Sequence, residues 1–117
     1  MTDGPLREPT FLILTALAAG PQHGYAIMAD VDGISSGRVR LRAGTLYAAL
    51  DRLRSDGHVD VDREDVVDGR LRRYYRLTPA GSQLLAAETE RQRANAAEAT
   101  RRLRKLGATT AFAGGVA

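Results

Sequence analysis

Residues 44–81 have the sequence GTLYAALDRLRSDGHVDVDREDVVDGRLRRYYRLTPAG, in which the period of the hydrophobic residues changes once. Leucines recur at intervals of four and three, which predicts a helix over residues 44–55 with one apolar face. After Gly57 apolar and polar residues alternate, which predicts a hairpin with one buried and one solvated face. The predicted buried positions are Leu46, Leu50 and Leu53 in the helix and Val59, Val61, Leu71, Tyr75 and Leu77 in the hairpin. The acidic residues placed at the hairpin tip are Glu64, Asp65 and Asp68, followed by Gly69.

Two helices are predicted before this segment. Pro9 suits the first turn of a helix, because proline loses no hydrogen bond there, and residues 11–17 are apolar almost all round. This first helix must therefore be buried on most sides. Gly20 and Pro21 end it, and a second helix begins at about His23 and breaks down over residues 32–37. The apolar positions of the second helix are Tyr25, Ile27, Met28 and Val31.

A long helix is predicted after the hairpin, with Thr78 as its cap, Pro79 as its first residue and its end near Leu106. Three helices, a hairpin and a long helix make up a winged helix-turn-helix with one added helix. The predicted fold class is mainly α with a small β-hairpin (α+β). We divide the chain into a flexible arm, a winged helix-turn-helix DNA-binding domain, a dimerisation helix and a flexible tail, at residues 1–8, 9–78, 79–106 and 107–117.

Composition argues against an enzyme. The 117 residues suffice for one domain, and the absence of cysteine excludes disulfides, thiolate metal sites and cysteine nucleophiles. The two histidines stand apart, and the acidic residues of the hairpin lack the spacing of a calcium loop. The apolar run at residues 11–19 is about half the length of a membrane span. We expect no cofactor, no metal and no membrane contact, and a cytoplasmic protein.

The arginines predict a DNA-binding surface. Of the 17 basic residues only Lys105 is lysine, and arginine suits phosphates and guanine edges, although a GC-rich genome also favours it. The predicted outer face of the helix at residues 44–55 carries Thr45, Ala48, Ala49 and Arg52. Just beyond the hairpin tip lie Arg70, Arg72 and Arg73. Arg72 and Arg76 have an alternative in cross-strand pairing with Asp60 and Asp62, and for Arg76 that alternative stays fully open.

The last helix carries a heptad stripe, which is typical of helices that pair. Its members are Leu85, Thr89, Gln92, Ala96, Ala99, Leu103 and Leu106. The middle of the stripe is small and polar, so another helix could approach it closely. A homodimer follows, and its two recognition helices would bind an inverted-repeat operator in double-stranded DNA with half-sites about 34–36 Å apart. The alternative is a solvated helix lying on its own domain.

Three motifs in order resemble the PadR family of transcriptional regulators: GPQHGY at residues 20–25, GTLY at 44–47 and RYYRLTPAG at 73–81. The short chain resembles the subfamily with one C-terminal helix. The family often has serine and proline before GTLY and proline after it, where this chain has Arg42, Ala43 and Ala48. The loss of a serine cap costs about 1 kcal/mol, and Arg42 would add a charge beside the DNA.

The resemblance implies roles for further residues. Tyr47 would contact the DNA backbone through its hydroxyl, the alternative being a half-buried core tyrosine. The last helix would pack against the first helix and the partner's last helix, so that Phe11 and Leu12 join Leu85, Ala96, Ala99, Leu103 and Leu106 in the dimer contact. A small hydrophobic or aromatic effector would bind between subunits, against Phe11, Leu12, Thr15, Gln92, Ala96 and Ala99, although these positions equally suit plain dimer core.

The function expected from these patterns is sequence-specific transcriptional regulation. Repression is the family's usual mode of action. The competing interpretation is a winged-helix module for protein contact, in which the arginines face an acidic partner rather than DNA.

Overall fold

A computed structural model describes residues 5–107 of the chain. Most of the predicted arm and tail, residues 1–4 and 108–117, therefore lies outside the described residues. The elements are α1 (Glu8–Ala18), β1 (Gln22–His23), α2 (Gly24–Ile34), α3 (Ala43–Ser55), β2 (Val59–Val67), β3 (Arg70–Leu77) and α4 (Pro79–Lys105). The three strands form an antiparallel sheet in the order β1-β3-β2. The predicted α+β class and the order of helices and hairpin are confirmed.

The strand β1 was not predicted. It consists of Gln22 and His23, which pair with Tyr75 and Tyr74 of β3. Two residues are too few to display an alternating pattern, so nothing in the sequence distinguished this strand from a turn between two helices. Its pairing attaches the two central residues of the GPQHGY motif to the base of the hairpin.

The helix α1 is the centre of the core. Its buried side chains are Leu12, Ile13, Leu14, Ala16 and Leu17. They surround the helix, as the apolar sequence predicted, and pack with the buried residues of α2, α3 and the sheet in one cluster. Leu6, just before the helix, packs against the same cluster.

The helix α2 begins with a histidine cap. The Nδ1 atom of His23 accepts a hydrogen bond from the backbone N–H of Ala26 at 3.3 Å, which satisfies one of the free donors of the first turn. The helix continues to Ile34, past the predicted break. Ile27 is buried as expected, but Tyr25 is 71% exposed, so the prediction that it belongs to the core is wrong.

The helix α3 packs through a wider face than predicted. Leu46, Leu50 and Leu53 are buried, and so is Ala49, which had been placed on the outer face. Ala49 follows Leu46 by three residues and precedes Leu53 by four, so it lies on the same side of the helix as both. Thr45 and Arg52 remain on the exposed side.

The hairpin turns at Asp68 and Gly69, whose φ angles are +52° and +75°. Two successive residues with positive φ are the requirement of the tight turn that Asp-Gly favours. The turn is thus shorter than the predicted acidic tip, since Glu64 and Asp65 lie within β2. Val66 and Leu71, partners across the strands, are 73% and 62% exposed.

Leu71 had been predicted to be buried, and that prediction is wrong because the core ends before it. Tyr75 is the buried residue of β3, and the strand continues past it towards the turn. A register shift opposite Tyr74 and Tyr75 leaves Asp62 as an extra residue in β2, between Val61 and Arg63. Strand alternation alone predicts neither event.

Thr78 and Gly81 join the start of α4 to the end of α3. The Thr78 hydroxyl accepts a hydrogen bond from the Gly81 N–H at 3.0 Å, as expected for a cap, and donates to the carbonyl of Gly57 at 2.6 Å. A Cβ atom on Gly81 would overlap the carbonyl oxygen of His58. Glycine is therefore required here by close backbone approach.

The described chain forms two compact units, with the break between Ala86 and Ala87, inside α4. Beyond that break the helix is exposed along nearly all of its length. Among residues 5–107 no helix is both long and apolar enough to cross a membrane.

Candidate nucleic-acid interface

A groove of about 540 Å³ lies between the amino end of α2 and the hairpin. Its lining is rich in cations and hydroxyl groups and contains one carboxylate. The lining residues are His23, Gly24, Tyr25, Tyr47, Val67, Asp68, Arg70, Leu71, Arg72 and Arg73. The groove thus brings Tyr47 of α3 together with the three arginines predicted just beyond the hairpin tip.

The Tyr47 side chain lies directly against Gly24 where it lines the groove. A Cβ atom on Gly24 would overlap the Tyr47 hydroxyl and lie 2.8 Å from its Cζ atom. Partial burial, with smaller effects of the nearby Tyr75 and Tyr25 phenols, raises the pKa of Tyr47 above its ordinary value. The phenol is therefore neutral near pH 7 and can donate a hydrogen bond from its 40% exposed side chain.

Arg70 and Arg72 differ from the other arginines of the hairpin. Among residues 5–107 neither has a carboxylate within 4.0 Å, whereas the Arg73 Nε atom donates to Glu64 at 2.8 Å. That contact raises the pKa of Arg73. Both partners of this pair are exposed, so it is worth at most about 1 kcal/mol and a phosphate could displace the glutamate.

Arg76 is engaged by two carboxylates. Its guanidinium lies 3.5 Å from Asp60 and 3.9 Å from Asp62. The cross-strand pairing considered for Arg76 from the sequence is therefore what the structure contains. Arg72, for which the same pairing was considered, stands opposite Asp65 in the register but forms no ion pair with it.

Aromatic and cation–π contacts join the base of the hairpin to the residue before α2. The rings of His23 and Tyr74 meet edge to face, with centroids 5.4 Å apart, and the Arg63 guanidinium lies 3.9 Å from the Tyr74 centroid. Burial, and secondarily the charge of Arg72, lowers the pKa of His23. His23 is therefore neutral near pH 7, as its role as acceptor for the Ala26 N–H requires.

The remaining predicted DNA contacts lie on α3 outside the groove. Arg42 occupies the cap position without making a side-chain cap, and Thr45 is exposed in the first turn. Free N–H groups at such a helix start can receive a phosphate. Arg52 lies towards the other end of α3, where it lines a separate cavity of about 470 Å³ with Arg7, Asp56 and His58 among other residues.

The residues predicted for the dimer and the effector belong to both compact units. Leu12 is 6% exposed in its own chain, which leaves it little surface for a partner or a ligand, and Phe11 is partly buried. The Thr15 hydroxyl already donates to the carbonyl of Phe11 at 2.8 Å. The members of the stripe beyond the break are all exposed: Thr89, Gln92, Ala96, Ala99, Leu103 and Leu106.

Sequence reasoning missed six of the ten residues that line the groove, three of them at the start of α2. His23 and Gly24 had been assigned to a helix-opening motif, and Tyr25 to the core. Gly24 must be a glycine because the Tyr47 side chain lies against it, and only the packing of α2 on α3 reveals that contact. For Tyr25 the signal was available, because a tyrosine in the first turn after a polar cap need not face the core.

The model of the PadR-like transcriptional regulator family matches residues 13–87, which is more than half of the chain. The chain belongs to this family. PadR-like proteins are classed as regulators of transcription and not as enzymes.

Among curated proteins, this PadR-like chain is 54% identical over 55 residues to the transcriptional regulator Rv3488 of Mycobacterium tuberculosis, a match that covers 47% of this chain and 48% of Rv3488. The chain spans about half or less of the length of the first curated relatives it matches.

Solved PadR structures share the fold. A PadR family regulator from Clostridium difficile R20291 is similar with a TM-score of 0.69 and 24% identity, over 83% of this chain and 99% of that one. Bacillus subtilis PadR, solved in complex with operator DNA, is similar with a TM-score of 0.62 and 23% identity, over 69% of this chain and 46% of that one. At these identities the likeness concerns the winged-helix architecture alone.

Proposed function

We propose that this PadR-like protein regulates transcription by binding duplex DNA through α3 and the hairpin, the wing of the fold. The observation that carries the proposal is the shared groove, in which Tyr47 of α3 faces Arg70, Arg72 and Arg73 of the wing. A strand of DNA that passes between a recognition helix and a wing brings its phosphates to such a junction.

The helix α3 supplies the contacts to the bases in this proposal. Its leucines hold one side in the core, and its opposite side exposes Thr45, Ala48 and Arg52. A major groove admits a helix whose outward residues are short or can form paired hydrogen bonds to guanine. Arg42, at the amino end of α3, would contact a phosphate beside the groove.

Dimerisation through α4 completes the DNA-binding unit. The helix is 27 residues long, and past the break its stripe exposes Leu103 and Leu106 together with small residues. A long helix with an exposed apolar stripe is stabilised when a second copy covers that stripe. Two wings and two recognition helices would then contact an inverted repeat of two half-sites.

The regulatory behaviour is inferred from the family resemblance. Binding over a promoter would repress transcription, and a small hydrophobic or aromatic effector held between subunits would release the repressor by favouring another spacing of the wings. The partly buried Phe11 and the exposed Gln92, Ala96 and Ala99 are the predicted residues that have surface available for that contact. A repressor of this kind acts in the cytoplasm, where bacterial DNA lies.

Selection of duplexes tests the proposal. The protein would be used to enrich binding sequences from random double-stranded DNA, and affinity for the enriched sequence would be compared with that for a shuffled duplex by fluorescence anisotropy. We expect an inverted repeat bound about a thousandfold more tightly than the shuffled control, and a dimer in sedimentation at micromolar concentration. Absence of any enriched sequence would favour the protein-contact module, and a monomer would refute the role of α4.

A further inference from the structure

Tyr25 is a large aromatic residue exposed beside the groove with no assigned role. It lies in the first turn of α2, 71% exposed, outside the core cluster. Its side chain lines the groove together with Tyr47 and the wing arginines. The two phenols are close enough for Tyr25 to affect the ionisation of Tyr47.

The chemistry of the groove fits a singly charged phosphodiester. Three guanidinium groups and two phenols face it, against one carboxylate from Asp68. Arg70 and Arg72 lack carboxylate partners among the described residues, so their donors are available to an incoming anion. Neutral phenol hydroxyls can donate directional hydrogen bonds to phosphate oxygens. Such charge-assisted bonds are shorter and stronger than those between neutral groups.

We infer that the groove seats one phosphate of the DNA backbone and that the Tyr25 hydroxyl donates a hydrogen bond to it. The inference rests on the proposed function and adds α2 to the two elements already assigned. Because Tyr25 stands on neither the recognition helix nor the wing, its contact sets the register of the protein on the backbone and reads no base.

A neutral donor has a recognisable signature. Loss of an arginine contact removes counterion release and therefore lowers the dependence of affinity on salt, by about 0.9 in the logarithmic slope for each phosphate. Loss of a tyrosine hydroxyl lowers affinity at every salt concentration and leaves the slope unchanged. Tyr25 and Arg72 line the same groove, so this difference distinguishes their contacts.

Tyr25→Phe tests the inference, with Tyr74→Phe as the matched control. Tyr74 contributes its ring to the stack with His23 and Arg63 and does not line the groove. On the selected duplex we expect Tyr25→Phe to bind at least about tenfold more weakly with an unchanged salt slope, and Tyr74→Phe to bind like wild type. Equal affinity of Tyr25→Phe and wild type overturns the inference, as does an equal loss in Tyr74→Phe.

Neutral linkages locate the contact. Duplexes carrying a single methylphosphonate would be scanned along each half-site with wild type and Tyr25→Phe. At one linkage the methylphosphonate should cost wild type more affinity than it costs Tyr25→Phe, and at all other linkages the costs should be equal. Equal costs everywhere overturn the inference while leaving DNA binding intact, whereas failure of wild type to bind any duplex overturns the proposed function as well.

Discussion

Replacement of Arg72 by glutamine should reduce the salt dependence of DNA binding. The size of the reduction depends on how many subunits of the complex contact the DNA. Arg72 lines the groove and has no carboxylate within 4.0 Å among residues 5–107, so in the complex its charge would be matched by a phosphate. One such contact contributes about 0.9 to the slope of log affinity against log salt. A homodimer loses two contacts per complex, and the slope should fall by about 1.8.

The expected effect is large enough to measure. Over a change from about 50 to 200 mM salt, wild type should lose about twelvefold more affinity than Arg72→Gln if both subunits contact the DNA, and about 3.5-fold more if only one does. Fluorescence anisotropy on the selected duplex and on a shuffled duplex provides both slopes. Because the contact is to the backbone, the reduction should be the same on both.

Arg76→Gln is the matched control, since Arg76 lies on the same strand and is already engaged by Asp60 and Asp62. Its replacement should leave the slope unchanged. An unchanged slope for Arg72→Gln, or an equal reduction for Arg76→Gln, would refute the assignment of phosphate contacts from ion pairing in the free chain.

Three further predictions concern the fold around the interface. Gly24→Ala should weaken DNA binding about tenfold with little change in melting temperature, because the added Cβ displaces the exposed Tyr47 phenol. Fluorescence anisotropy measures the affinity and a thermal melt measures the stability. Undiminished affinity would show that the position of Tyr47 is unimportant. Leu50→Ala, at a fully buried position, should lower the free energy of unfolding by about 2–5 kcal/mol in denaturant titration, and a loss below 1 kcal/mol would contradict its place in the core. The lowered pKa of His23 shows that the folded state favours its neutral form. The free energy of unfolding should therefore be greatest above about pH 6.5 and fall as the pH decreases below that value. In His23→Asn, which keeps a capping side chain, this part of the pH dependence should disappear.

The helices, the hairpin and the cap at Thr78 could be predicted because local chemistry determines them. A leucine period, an Asp-Gly pair and a Thr-Pro boundary each act over a few residues. What failed was the direction in which particular side chains point: Ala49 into the core, Tyr25 and Leu71 into solvent. Those directions depend on where the core begins and ends, and on packing between elements distant in sequence.

In the candidate site, too, the features that depend on local sequence could be predicted, and those that depend on packing between distant elements could not. The position of Arg70, Arg72 and Arg73 beyond a tight turn follows from the sequence, but the partners of the hairpin arginines do not. Pairing of Glu64 with Arg73 depends on a register that includes the extra residue Asp62. The contact of Gly24 with Tyr47 joins two motifs separated by a whole helix, and each motif by itself indicates only a helix start.

Ion pairing explains how a chain with a net charge of only +3 can present a cationic groove. The hairpin contains five acidic residues and five arginines, so as a whole it is neutral. Arg63, Arg73 and Arg76 are matched by carboxylates along the strands, whereas Arg70 and Arg72 have no such partner within the part of the chain that the structure describes. Positive charge without a partner is thereby concentrated at the groove, near the two phenols, and is reduced over the rest of the wing. In the proposed function such a wing would attract DNA weakly at a distance, because its opposite charges cancel and salt screens what remains, and it would bind a phosphate only when the backbone enters the groove. Affinity would then depend on correct seating of α3 as well as on charge, which would favour discrimination between an operator and the bulk of the DNA.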